Sequence, residues 1–154
     1  MPPRAGDGLE SRLIATIAPV FRHLLAHARR RPGWKSLTYQ QYNVLRIIDG
    51  EAAMPQAEIA RRLLVSAPVV TRLAASLVDS GYVERGTDPE DRRAVRLSLT
   101  PKGRRKVRAM RRDLLEAATE LLAPLADDRR AAIGAALDEL QVLLPSGSVN
   151  GRPR

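Results

Sequence analysis

The stretch Gly81–Gly103, GYVERGTDPEDRRAVRLSLTPKG, is the most informative in the chain. Tyr82 and Val83 are β-favouring residues on a first limb. On a second limb Val95, Leu97 and Leu99 alternate with Arg96 and Ser98, the period of a half-buried strand. Between the limbs, Asp88-Pro89-Glu90-Asp91 is turn chemistry, because proline sets φ and aspartate side chains close local turns. Arg92 and Arg93 follow at the tip. Thr100-Pro101 then opens a helix, with threonine as N-cap and proline at the first helical position. A small hairpin that thrusts arginines outward is suited in shape and charge to a nucleic-acid groove.

Upstream, Thr38 with Gln41 three residues later is a capping box, which predicts a helix to about Asp49 with Tyr42, Leu45 and Ile48 on its core face. Gly50 ends it, and Ala53-Met54-Pro55 is an extended link. A second helix is expected over Gln56–Leu64, buried through Ile59, Ala60 and Leu63. Val65-Ser66 makes a tight turn, with Ser66 as N-cap of a third helix over Ala67–Ser80. Val70, Leu73, Ala74 and Leu77 form the buried side of that helix, leaving Pro68, Thr71, Arg72, Ala75 and Asp79 outward. Gly81 is its stop. Two short helices with a tight turn, followed by an arginine-tipped hairpin, spell a winged helix-turn-helix.

The flanks are helical too. Leu9 to about Arg30 carries a broad apolar stripe, and Pro19 within it predicts a kink or a division into two helices. Pro101 to about Ala123 is a helix with strongly basic first turns, which Pro124 breaks. Asp127 or Asp128 is the expected cap of a last helix running to Leu144. These flanking helices hold more apolar surface than a small winged helix needs, and burial across a two-fold axis is the simplest use for it. The expected architecture is therefore mostly α. It comprises an N-terminal dimerisation helix (1–36), a winged helix-turn-helix (37–100), C-terminal dimerisation helices (101–145) and a disordered tail (146–154).

At 154 residues the chain suits one domain with a real core. Its formal net charge is +9, and residues 85–112 alone hold 11 Lys/Arg against 3 Asp/Glu. So concentrated a basic block favours a polyanion, because neutralising phosphates releases counterions. Aromatic residues are only 3% of the chain, too few for single-strand stacking platforms, so duplex is the expected nucleic acid. With no cysteine, disulfides, thiolate zinc sites and thiol redox sensing are excluded. No apolar run approaches a membrane span or a secretory leader, so the expectation is a cytoplasmic protein with no membrane partner.

Taken in order, LTYQQYNVLRII, PQAEIARRLLVSAPVVTRLAASLVDSGYVER and DPEDRRAVRLSLTPKG resemble the MarR family of bacterial transcription regulators over nearly the whole chain. The resemblance implies a homodimer that binds pseudo-palindromic double-stranded DNA, usually as a repressor released by a small-molecule effector. It places the recognition helix at Ala67–Ser80, with Ser66 and Thr71 bonding phosphates or base edges and Arg72 reaching a guanine or a phosphate. In the wing, Arg93 matches the arginine inserted into the minor groove, with Asp91 holding it in place and Arg92 adding backbone contact. The chain departs from its relatives at Ala67-Pro68, whose side chains can offer only apolar contact to thymine methyls. That departure keeps a sequence-indifferent, architectural DNA binder in view as the alternative.

The ligand cleft of such proteins lies near the positions of Phe21, His23, His27, Trp34, Tyr39 and Tyr42. Ordinary packing is the competing account of these side chains. His23 and His27 share a helix face at i, i+4, yet nothing in the sequence supplies them with further metal ligands, so neither a metal nor a cofactor is expected. An enzyme is not indicated: Glu90-Asp91 sit on an exposed tip, and no histidine neighbours Ser66 in sequence.

Overall fold

The computed structural model describes residues 8–144; the frayed start and the tail expected from sequence lie largely outside that range. The elements run α1 (Leu9–Ala28), a 3₁₀ turn (Pro32–Trp34), α2 (Tyr39–Ile48), β1 (Met54–Pro55), α3 (Gln56–Leu63) and α4 (Ala67–Asp79). They continue with β2 (Val83–Thr87), β3 (Val95–Leu99), α5 (Pro101–Leu122) and α6 (Asp127–Leu143). The sheet has the order β1-β3-β2 and is antiparallel throughout, with Val83 opposite Leu99 and Thr87 opposite Val95 in the hairpin.

Helix α2 is the hub. Its capping box forms as expected: Gln41 N–H donates to Thr38 Oγ1 at 3.2 Å, and Thr38 N–H donates to Gln41 Oε1 at 2.8 Å. Tyr42, Leu45 and Ile48 are buried, and so are Val44 and Ile47, because α3, α4, α5 and β3 surround this helix. The sequence pattern marked only one face. The core continues through Ile59, Val70, Ala74, Leu77, Leu97, Leu99, Val107 and Met110.

Several expectations needed correction. Of the two outcomes expected at Pro19, a kink or a division, the division does not occur: α1 is one element with Pro19 inside it. The N-cap of α6 is Ala126, and neither Asp127 nor Asp128 caps it; both sit in the first turn, where their charge suits the helix dipole. Helix α3 ends at Leu63 because Leu64 takes a left-handed conformation, φ 54°. Such a backbone costs an L-residue about 1 kcal/mol, and Leu64 recovers nothing by packing, being 92% exposed. Leu64→Asn, which tolerates this conformation, is expected to raise stability by roughly 0.5 to 1 kcal/mol, read from the denaturation midpoint.

Gly81 closes α4 with φ +71° and lets the chain turn into β2. The junction into α5 is tighter. Thr100 Oγ1 accepts from Gly103 N–H at 3.0 Å and donates to the Gly81 carbonyl at 2.7 Å. The Thr100 N–H donates to the Tyr82 carbonyl at 3.1 Å. Helix α5 packs along α1, and the Trp34 indole donates to the Met110 carbonyl at 3.2 Å. Arg31 adds ion pairs to Glu116 and, at 2.8 Å, to Glu120.

The outer flanks remain uncovered. Ile14 is 74% exposed, Leu137 58% and Leu143 79%, and no residue of α6 is buried.

Candidate nucleic-acid interface

Helix α4 turns Val70, Ala74 and Leu77 inward, with Leu73 half-buried, and leaves Ser66, Ala67, Pro68, Thr71 and Arg72 exposed along its first turns. Ala75, expected outward, is half-buried. Ser66 occupies the N-cap position without a capping hydrogen bond from its side chain. An N-cap hydroxyl not used on its own helix leaves one polar group at the helix start for an external acceptor or donor.

Thr71 is already engaged. Its hydroxyl donates to the Ala67 carbonyl at 3.0 Å and accepts from Gln56 Nε2 at 2.8 Å. To donate to a phosphate it must give up the Ala67 carbonyl. Two glutamines thereby hold the helix in place: Gln56 from α3, and Gln41 from α2, whose Nε2 donates to Ser76 Oγ at 2.9 Å. Neither was singled out from sequence, where one reads as a capping residue and the other as a helix start.

On α3 the arginines are committed to each other's partner. Glu58 accepts from Arg61 Nη2 at 2.6 Å and from Arg62 Nε at 2.7 Å, and these bonds pull its carboxyl down to about 2. Arg72, by contrast, stands on an exposed turn of α4.

At the wing tip Asp91, Arg92 and Arg93 are all exposed. Asp91 does hold Arg93, through the backbone: its Oδ1 accepts the Arg93 N–H at 2.9 Å, and no ion pair joins their side chains. The guanidinium therefore extends from a braced loop without an ion pair to any other described residue. Asp88 accepts from the Glu90 N–H at 2.9 Å and pairs with Arg96 at 3.0 Å. The Glu90 amide first, then the Arg96 charge, hold the Asp88 carboxyl below its ordinary range.

The aromatic residues near α1 and α2 do come together. Phe21 meets Tyr39 edge-on at 4.7 Å between ring centroids, and Trp34 lies 5.2 Å from Tyr42. Trp34 and Tyr42 belong to the core, whereas Phe21 is exposed and Tyr39 half-buried, so any ligand would meet the last two. Burial pushes the Tyr42 phenol up, with Arg46 and Arg111 pulling against it. His23 and His27 pack on each other, 4.2 Å between centroids, and His27 Nδ1 lies 3.1 Å from the His23 carbonyl. Among the described residues no group of three or more His, Cys, Asp or Glu is arranged to hold a metal ion. Nor, among them, is any helix long and apolar enough to cross a membrane.

Comparison with known proteins bears on the family and the fold. A family model described as MarR family matches residues 35–94, from the turn before α2 to the wing. An uncharacterized HTH-type transcriptional regulator of Mycobacterium leprae (strain TN) is 31% identical over 135 residues, which is 88% of this chain and 94% of that protein. A mutant MarR from E. coli superposes with a TM-score of 0.79 at 24% identity, covering 90% of this chain and 99% of that one. Such a mutant complexed with operator DNA gives a TM-score of 0.65 at 26% identity, covering 84% and 91%.

Proposed function

The chain belongs to the MarR family of transcription regulators, and we propose that it acts as a homodimeric repressor that binds a pseudo-palindromic duplex and is released by a small effector. The observation that carries the DNA contact is the pairing of an exposed Arg72 face on α4 with an Arg93 tip braced through the Asp91 carboxylate. Arg72 would reach a guanine edge or a phosphate, and Ser66 and Thr71 would supply hydroxyls. Ala67 and Pro68 would meet thymine methyls, Arg93 would enter the minor groove, and Arg92 would touch the backbone.

The uncovered faces of α1 and α6 support the dimer. A helix of 17 residues with none buried gains its stability from tertiary packing only if something covers it. Sedimentation is expected to give twice the 16.9 kDa chain mass at micromolar concentration; a monomer there would remove the two-fold reading. In such a dimer the two α4 helices must stand about one DNA turn apart, roughly 34 Å, to read both half-sites. An effector that alters this separation changes affinity without touching a single contact. The edge formed by Phe21 and Tyr39, with His23 and His27 farther along α1, is where we place it.

The deciding experiment is selection of genomic fragments by the purified protein at near-physiological salt. Enrichment of a short inverted repeat is the expected result. Uniform recovery, with affinity that collapses as salt rises, would replace the operator reading with an architectural binder. The engaged Thr71 hydroxyl and the apolar Ala67-Pro68 pair are the features that favour that second reading.

A further inference from the structure

Arg96 is the second residue of β3, opposite Pro55 on one side and Gly86 on the other. Its guanidinium reaches in two directions. Nη1 donates to Asp88 Oδ2 at 3.0 Å, where the hairpin leaves β2 for the tip. Nη2 donates to the Ala53 carbonyl at 2.9 Å, just before β1 and the start of α3. A planar fork can hold two acceptors at a fixed angle, which a lysine cannot do. From Ala53 the chain needs only Met54 and Pro55 to reach Gln56, whose amide grips Thr71 on α4. The wing root and the recognition helix are thus linked through Arg96, the short Ala53–Gln56 segment and the Gln56 amide.

The same side chain is a poor choice for stability alone. Its Nε is buried with no hydrogen-bond partner among the described residues, which carries a desolvation cost an apolar residue would avoid. We infer that Arg96 is a positioning residue, a latch that fixes the wing's orientation relative to α4 by bridging Asp88 to the Ala53 carbonyl. Both Nη groups are taken up by acceptors within the protein, so Arg96 acts through Arg93. The part of the inference that concerns binding rests on the DNA-binding reading above.

The test has one arm without DNA. In the free protein the Asp88 N–H bonds the Ala94 carbonyl at 3.0 Å, and the Ala94 N–H bonds the Asp91 carbonyl at 2.9 Å. In Arg96→Met these two amides are expected to exchange about 10-fold faster, with the amides of α2 unchanged. Asp88→Asn, which keeps an oxygen for the Glu90 N–H but removes the charge that pairs with Arg96, is expected to do likewise. Unchanged wing exchange in both variants would overturn the latch.

The second arm is a double-mutant cycle on the inverted repeat recovered by genomic selection. Arg96→Met is expected to weaken binding about 5-fold in the wild-type background and hardly at all when Arg93 is already alanine. Equal losses in both backgrounds would show that Arg96 acts independently of the tip and would overturn the proposal. If the wild-type chain binds no duplex, the functional reading fails, while the exchange arm still decides whether Arg96 is a latch.

Discussion

Gly103→Ala is expected to destabilise the chain by about 3 kcal/mol, the upper range for forcing an extra methyl into a packed interior. Gly103 is buried in the first turn of α5, and a Cβ there would sit 2.9 Å from the Tyr82 carbonyl carbon and closer still to its oxygen. The obstruction is backbone, so no rotamer change can relieve it. The Tyr82 carbonyl also accepts the Thr100 N–H at 3.1 Å, so pushing it away disturbs the residue that caps α5 as well. For a chain of this length the loss corresponds to a fall of roughly 10 °C in Tm. A thermal transition within a degree or two of wild type would show that wing and α5 separate easily, contrary to the packing. Because α5 also pairs with Arg31 and Trp34, the substitution should loosen the link between the flanking helices and the winged helix-turn-helix.

Arg93→Ala is expected to have the opposite profile: an unchanged fold and a loss of at least about 10-fold in affinity for the selected duplex. Arg93 is exposed, and its side chain makes no ion pair among the described residues, so its loss leaves no partner there uncompensated. What the substitution removes is a cation aimed outward from a loop already ordered by the hydrogen bond from the Arg93 N–H to the Asp91 carboxylate. Preordering matters, since a side chain presented by a braced loop loses less conformational freedom on binding. The measurement is a titration at two or more salt concentrations beside a circular dichroism melt. A smaller dependence on salt, with the melt unmoved, is the expected pair of results. Operator affinity equal to wild type would remove the wing from the mechanism.

Much of this site was legible in the residues. The Asp-Pro-Glu-Asp turn, the paired arginines and the Thr100-Pro101 helix start are local signals, and each formed where its chemistry placed it. The inward side of α4 was equally plain, because a 3.6-residue period is written into one short segment. Thr71 and Arg96 were harder. Both were correctly expected on polar faces, yet the partners that define them, Gln56 and Ala53, come from other elements. A hydrogen bond between residues 43 positions apart leaves no periodic trace. Asp127 failed for a related reason: which of several polar residues caps a helix depends on where the preceding loop leaves the helix axis.

By itself, then, the amino-acid sequence determined the helix-turn-helix, the hairpin and the capping box of α2, since propensity, turn chemistry and apolar period act over a few neighbouring residues. Only the tertiary structure decided that α2 is buried nearly all round, because no single periodicity encodes a helix enclosed by three helices and a strand. It decided that Leu64 bears a left-handed turn with its side chain in solvent, a strain that the packing of α3 against α4 imposes. And it decided how the wing is joined to the recognition helix, since that join is made by long-range hydrogen bonds whose partners meet only after the chain has folded.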